Sequence, residues 1–164
     1  MKVGIVSDTH DNLDIVQRAV DHFEETADVV VHCGDIIAPF AARPFDSDEF
    51  DFYAVRGNND GEWGLKGLVD EFGMYLGEMG ELVLDDTRIA VYHGTSEGIV
   101  GALLESGSYD YVLRGHTHEQ VEEDYDGTMH INPGGIPTEP SGGEPPAAVV
   151  LDTKTGAITF TPLE

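Results

Sequence analysis

Cysteine is almost absent from this chain. Cys33 stands alone, so no internal disulfide can form, and a reducing, cytoplasmic setting is the simplest expectation. Positive charge is scarce too: 8 Lys and Arg face 32 Asp and Glu, for a formal charge of −24. That balance argues against duplex nucleic acid and anionic membrane as partners, because affinity for both usually rests on Lys and Arg neutralising phosphate. Long apolar runs are missing. The stretch from Val3 to Val6 is too short for a signal peptide, and nothing approaches a membrane span. Tryptophan occurs once, at Trp63. With no repeat, linker or low-complexity segment, residues 1–164 are expected to form a single domain. A domain of this size buries about 70% of its unfolded surface and needs no covalent staples.

The acidic excess has a second consequence. A surface of this charge repels itself and strains the compact state at low salt. At about 1 M salt the Debye length falls to roughly 3 Å and most of that strain disappears. The even spread of acids and the shortage of lysine therefore point to the cytoplasm of a halophilic microorganism.

Along the chain, Lys2–Ser7 reads as a buried strand, and 12–25 as an amphipathic helix that Asp11 or Asn12 can cap. Asp28–His32 is a second strand, and this β-α-β opening implies parallel pairing. A loop and short helix reach Phe45, and residues 49–55 form a third strand. The Gly-rich stretch 61–80 is ambiguous, with a possible helix near 65–72. Residues 80–94 read as a hairpin turning at Asp85-Asp86, then 96–105 as a helix and 109–113 as a strand. A second hairpin turns at Asp126-Gly127, a strong turn dipeptide. After a Gly/Pro-rich loop at 133–146, residues 147–163 close as a last hairpin. Alternation first and hairpins later suggest a mixed sheet or two packed sheets with helices outside. Apolar residues in 40–52 and 65–76 could make a partner or self-association surface, including a homodimer.

Five short islands carry the chemistry: Asp8-Thr9-His10, Gly34-Asp35, Gly57-Asn58-Asn59-Asp60, His93-Gly94 and Gly115-His116-Thr117-His118. Most follow strand-like runs, and ligands in α/β proteins gather beyond the carboxyl ends of strands. Alone, each has a duller reading: Asp8 as a helix cap, Gly34-Asp35 and Gly57-Asn58 as turns, His93 as a strand-end histidine. Their joint order is what carries weight. Two divalent cations about 3.5–4 Å apart can grip both the attacking and the leaving oxygen of a phosphoryl displacement. Carboxylate, amide and imidazole together suit Mn, Fe, Zn, Co or Ni better than Mg or Ca. His22, His32 and His130 fit no such position and read as surface or packing residues. Arg56 and Arg114 adjoin islands but are expected to form salt bridges, and Cys33 a small buried side chain.

The islands, in this order from Val3 to about Asn132, resemble the calcineurin-like metallophosphoesterase family, in particular its short single-domain bacterial and archaeal phosphodiesterase branch. The resemblance implies an α/β fold of two packed mixed sheets, a β-sandwich flanked by helices. It implies that Asp8, His10, Asp35 and His118 hold one metal, and that Asp35 bridges to a second held with Asn58, His93 and His116. It implies two divalent ions per chain, manganese first, and a hydroxide between them that attacks a small phosphodiester. A phosphomonoesterase, or a non-catalytic protein-binding scaffold on the same fold, is the alternative. Catalytic contacts fall to Asn58, His93 and Asp60. Where many relatives place a histidine in the asparagine motif to protonate the leaving group, this chain reads Asn58-Asn59-Asp60, so the proton donor stays open, with Asp60 the candidate.

Overall fold

The structure, a computed structural model, describes residues 1–136 and 145–163. Its strands are β1 (Lys2–Val6), β2 (Val29–His32), β3 (Asp51–Ala54), β4 (Met74–Tyr75), β5 (Met79–Leu84), β6 (Thr87–Tyr92), β7 (Tyr111–Leu113), β8 (Gln120–Tyr125), β9 (Thr128–Pro133), β10 (Ala147–Asp152) and β11 (Ile158–Pro162). Its helices are α1 (Leu13–Thr26), α2 (Pro39–Ala42, continued by a 3-10 turn to Phe45), α3 (Trp63–Phe72) and α4 (Glu97–Glu105). Six strands form one sheet in the order β11-β10-β1-β2-β3-β4, and five form another in the order β5-β6-β7-β9-β8. Both are mixed: β1 to β4 run parallel with β10 antiparallel beside β1, while β6, β7 and β9 run parallel with antiparallel β5 and β8 at the edges.

The alternation of side chains along each strand builds four layers. Val3, Ile5, Val29, Val31, Val149 and Leu151 face the second sheet and meet Ile89, Val91, Leu113 and Ile131. Val6, Val30, Phe52 and Ala54 face the other way, against Val16, Val20 and Phe23 of α1, Ala41 of α2 and Leu65 and Val69 of α3. On the far side, Ala90, Tyr92 and Val112 meet Val100 and Leu104 of α4. Gly4 is needed where it is, because a Cβ there would lie 2.6 Å from the ring of Phe23. The α/β sandwich expected from the sequence is therefore the fold of this chain.

Local chemistry explains the element ends. The Asn12 side chain accepts from the Ile15 N–H and caps α1. Asp85 and Asp86 take φ 49° and 67°, and Asp126 and Gly127 take 51° and 94°, as a two-residue hairpin turn of matching twist requires. The ambiguous stretch after Gly61 resolves into α3 and the short β4, which extends the parallel sheet. Most of the Gly/Pro-rich loop expected after Pro133 lies outside the described residues.

One expectation is corrected. The apolar residues of 40–52 and 65–76 do not make a continuous surface. Phe45, Phe50, Phe52, Leu65 and Val69 are buried under the helices, and Phe45 stacks on Phe52 with ring centroids 4.7 Å apart. Phe40 and Met74 remain exposed.

Candidate metal centre

The seven residues expected to bind metal all follow the carboxyl ends of strands that run parallel within their sheets. Asp8 and His10 follow β1, Asp35 follows β2, Asn58 follows β3, His93 follows β6, and His116 and His118 follow β7. Because the two sheets face one another, their loops converge at one edge of the sandwich. The histidines sit there as two edge-to-face pairs: His10 with His118 at 5.1 Å between centroids, and His93 with His116 at 5.2 Å. Asp35 Oδ2 lies 3.5 Å from Nε2 of both His10 and His93. Asp8 Oδ1 lies 3.2 Å from His118 Nε2, 3.7 Å from His10 Nε2 and 4.0 Å from His93 Nε2. Asn58 Oδ1 stands 2.9 Å from both His93 Nε2 and His116 Nδ1. Two groups, Asp8-His10-His118 and Asp8-Asp35-His93, each have their ligand atoms within 4.8 Å of one another.

The hydrogen-bond accounting shows that these residues fit cations. His93 Nδ1 donates to the Cys33 carbonyl at 2.8 Å and His118 Nδ1 to the Ile136 carbonyl at 2.7 Å. A carbonyl only accepts, so both hydrogens sit on Nδ1, and in the neutral rings both Nε2 lone pairs face carboxylate oxygens. Acceptors thus point at acceptors. Asp8 Oδ1, on a fully buried carboxylate, has no hydrogen-bond donor, and neither has His10 Nε2. A polar atom buried without a partner costs about 1–3 kcal/mol, more when charged. Positive charge between these atoms removes the cost, as protons or as metal ions. The titration shifts carry the same message. Burial alone would raise the Asp8 carboxyl, yet the neighbouring imidazoles and the Ser7 hydroxyl hold it well below the usual carboxylate range. Burial alone would lower His93, yet Asp35 and Asp8 raise it above its ordinary value, and Asp8 raises His118.

A second ring of residues holds the ligands in place. Asp8 Oδ2 accepts from the Ser7 hydroxyl at 2.6 Å and the His116 N–H at 2.9 Å, which leaves Oδ1 for the centre. Asn59 clamps Asp35, its N–H on Oδ1 at 2.8 Å and its amide on Oδ2 at 2.7 Å. His32 packs fully buried beneath the site, in keeping with the packing reading. It accepts from the Gly34 N–H and donates Nε2–H to the Thr9 hydroxyl, and burial pushes its pKa down to about 3, so it stays neutral. Arg114 is buried and binds both oxygens of Glu97, and its guanidinium also reaches the carbonyls of Gly94 and Gly115. It braces the two histidine loops of the second sheet, while Arg56 pairs with Glu78. Burial pushes the Cys33 thiol up, so it remains a neutral packing group.

Asp60, the candidate proton donor, is placed differently from that expectation. It is buried, with 5% of its surface exposed. Its Oδ2 accepts from the N–H of Asp35 at 3.0 Å and of Gly57 at 2.7 Å, and its Oδ1 from that of Ile37 at 2.7 Å. Burial raises its pKa although these donors pull the other way. Both oxygens accept from backbone N–H groups, so Asp60 stitches the loops after β2 and β3 together. Neither this role nor that of His32 has a signature in the sequence, because each depends on loops that meet only in the folded chain.

The loops are tightly wound. Ten non-glycine residues among those described have positive φ, and seven of them, Asp8, His10, Asp11, Asp35, Ile37, His116 and His118, lie here. Glycines let the loops touch: a Cβ on Gly57 would lie 2.1 Å from Asp35 Oδ1, and one on Gly115 1.9 Å from Ser7 Oγ.

Known proteins share this sequence and shape. The family model described as the calcineurin-like phosphoesterase superfamily domain matches residues 1–156. The chain is 37% identical over 152 residues to phosphodiesterase MJ0936 of Methanocaldococcus jannaschii, covering 84% of this chain and 90% of the relative. It is 28% identical to phosphodiesterase YfcE of Escherichia coli, covering 93% and 88%. The solved structure of an archaeal phosphodiesterase superposes with a TM-score of 0.89 at 34% identity, over 98% of this chain and 99% of that one. Vps29 of Entamoeba histolytica shares the fold, with a TM-score of 0.73 at 17% identity over 98% and 97%.

Proposed function

The chain belongs to the calcineurin-like phosphoesterase superfamily, and from that premise we propose that it is a metal-dependent phosphodiesterase acting on a small phosphodiester. Asp8, His10, Asp35 and His118 would hold one divalent ion, and Asp35, Asn58, His93 and His116 the second. The observation that carries this reading is Asp8 Oδ1, buried without a donor and ringed by three imidazole nitrogens. Two divalent ions there would supply a nucleophile from water near neutral pH and neutralise charge on the phosphoryl oxygens.

The chain's own residues do the rest. Asp35, between His10 and His93, is the shared carboxylate. The Nδ1–H bonds of His93 and His118 keep both Nε2 atoms basic and fix the ring planes. Asn58 is exposed beside the buried His93 and would be free to meet a phosphate oxygen. Asp60 serves as the strut under Asp35 and Gly57 rather than as the acid.

The mixed carboxylate, amide and imidazole set favours manganese, with Ni, Co, Fe or Zn as substitutes. A phosphomonoester is the second substrate choice. A scaffold role, raised by the likeness of fold to Vps29, is less favoured, because no metal ligand that the family resemblance implies is missing. The formal charge of −24 supports a high-salt cytoplasm. Equal melting temperatures in dilute buffer and in molar KCl would rule that setting out.

The direct test is hydrolysis of bis-(p-nitrophenyl) phosphate and of p-nitrophenyl phosphate in molar KCl. The metal-stripped protein receives Mn, Ni, Co, Zn or Mg in turn. Metal-dependent release of nitrophenol, faster from the diester and lost in Asp35→Asn, is the expected result. No release with any metal, while two ions bind per chain, would overturn the phosphodiesterase reading in favour of a scaffold.

A further inference from the structure

Large exposed apolar side chains flank the ligand loops although the chain as a whole is acidic. The three loops of the first sheet that carry ligands each run into a helix, and each helix opens with a large exposed apolar side chain. Leu13 begins α1 three residues after His10, Phe40 lies in the first turn of α2 five residues after Asp35, and Trp63 begins α3 five residues after Asn58. Trp63 is 100% exposed and Phe40 55%. Five residues of chain span at most about 17 Å, so both aromatics stay within reach of a molecule held at the centre. The two helix starts also adjoin one another: a Cβ on Gly64 would lie 3.2 Å from Pro39 Cγ. Asp60 ties the loops together, through the N–H groups of Gly57 on one side and Asp35 and Ile37 on the other.

The cations that adjoin the ligand loops and the segments of α2 and α3 are engaged with carboxylates. Arg114 is buried on Glu97, Arg56 pairs with Glu78, Arg43 with Glu71 and Lys66 with Asp70. Lys2 and Arg88 sit at the amino ends of β1 and β6, the ends opposite the metal ligands. A polyanionic substrate would find Arg43, Arg56, Lys66 and Arg114 already paired with carboxylates. A singly charged phosphodiester with a flat, apolar organic group would meet the metals with its phosphate and the aromatic rim with its body. Exposed tryptophan and phenylalanine beside a charged site are the combination that stacks planar groups.

We infer that the substrate carries a planar aromatic organic group on its phosphodiester, and that Trp63, with Phe40 beside it, is the stacking platform. This rests on the phosphodiesterase reading and narrows its substrate class.

Trp63 is the only tryptophan in the chain, so its fluorescence reports on the rim independently of turnover. Metal-loaded protein in molar KCl is titrated with diphenyl phosphate and with dimethyl phosphate. The expected result is a saturable change in emission with the first and none with the second. In Trp63→Ala, which has no tryptophan left to report, the affinity for diphenyl phosphate measured by titration calorimetry falls about tenfold, within the range that stacking a ring on an aromatic is worth. The KM for bis-(p-nitrophenyl) phosphate rises by a similar factor at unchanged kcat, and Trp63→Phe retains most of both. Emission blind to diphenyl phosphate, with the diester hydrolysed equally by wild type and Trp63→Ala, would overturn the platform and leave the phosphodiesterase standing. A blue shift that grows with protein concentration in the absence of ligand would overturn it in favour of a second copy on the rim. Absence of both diester hydrolysis and diphenyl phosphate binding would remove the phosphodiesterase reading and this inference with it.

Discussion

At the tips of the β5–β6 and β8–β9 hairpins this chain turns through Asp85-Asp86 and Asp126-Gly127, with positive φ at every position. At the ends of β1, β2 and β7 it makes the same left-handed turns through Asp8, His10, Asp35, His116 and His118. The residue types overlap and the backbone strain is alike, about 1–3 kcal/mol for each ordinary residue held there. The surroundings differ. Gly127 would meet nothing within 4 Å if it gained a Cβ, whereas the same atom on Gly115 would strike Ser7 and Asp8. The hairpin aspartates lie at the surface, where Asp85 accepts from the N-terminal ammonium. The site aspartates are buried and meet imidazoles. One conformation serves strand twist in the first region and ligand convergence in the second, so only in the second must a side chain be kept for its chemistry.

The largest expected effect falls on Asp8. Asp8→Asn removes charge from Oδ1, the donorless buried oxygen that stands 3.2–4.0 Å from three imidazole nitrogens. Bound metal and turnover should fall by more than the 10–100-fold typical of an outer-shell residue, roughly 10³-fold or beyond. Far-UV circular dichroism should keep the wild-type shape. Metal content by elemental analysis alongside turnover decides it, and an Asn variant that keeps two ions and full rate would erase the distinction between the two regions.

Next comes the paired test of glycines. Gly115→Ala should cost about 2–3 kcal/mol, because the new methyl group displaces Ser7 and Asp8 rather than straining its own φ. Gly127→Ala should cost only about 1 kcal/mol of backbone strain at the hairpin tip. Urea unfolding of both variants measures the gap, and equal losses would mean that crowding at the centre is not what demands glycine.

Asp60→Asn sharpens the comparison within the site. It should weaken metal affinity about 10–100-fold, as for a group that positions ligands. Esters with good and with poor leaving groups should slow by the same factor. A larger effect on the poor leaving groups would restore Asp60 as the proton donor.

The smallest effects concern residues that hold the left-handed conformation without serving as ligands. Ile37 has φ 86°, costly for a β-branched side chain. Ile37→Gly should raise stability by up to about 1 kcal/mol while lowering activity, since strain is relieved where the loop must stay shaped. Asp86→Gly should change stability by less than about 0.5 kcal/mol and activity not at all. Thermal melts with activity assays separate the two.

Much of the molecule was legible in its sequence. β-branched runs marked the strands, Asp85-Asp86 and Asp126-Gly127 marked the turns, and the five islands marked the ligands, because strand alternation, turn chemistry and metal preference are local properties. Three features were not legible. β10 enters the first sheet beside β1, antiparallel, from about 145 residues further along, and β9 joins β7 in parallel. Such pairings are chosen by the packing of whole sheets, which no short window contains. Which apolar residues of 40–52 would be exposed was not legible: Phe45, Phe50 and Phe52 fill the core, where α1 to α3 close over them. Asp60 looked like an acid because its place beside Asn58 says nothing of which donors it will face.

The sequence by itself determined which atoms can bind metal and that they follow strand ends, since residue type and strand propensity are written position by position. Tertiary structure alone decided that Asp8 Oδ1 faces three imidazoles without a donor, that Asp60 turns both oxygens to backbone, and that the starts of α2 and α3 adjoin. Those are distances between residues far apart in the chain, and they arise only when two sheets bury their common face and bring the loops of both to one edge.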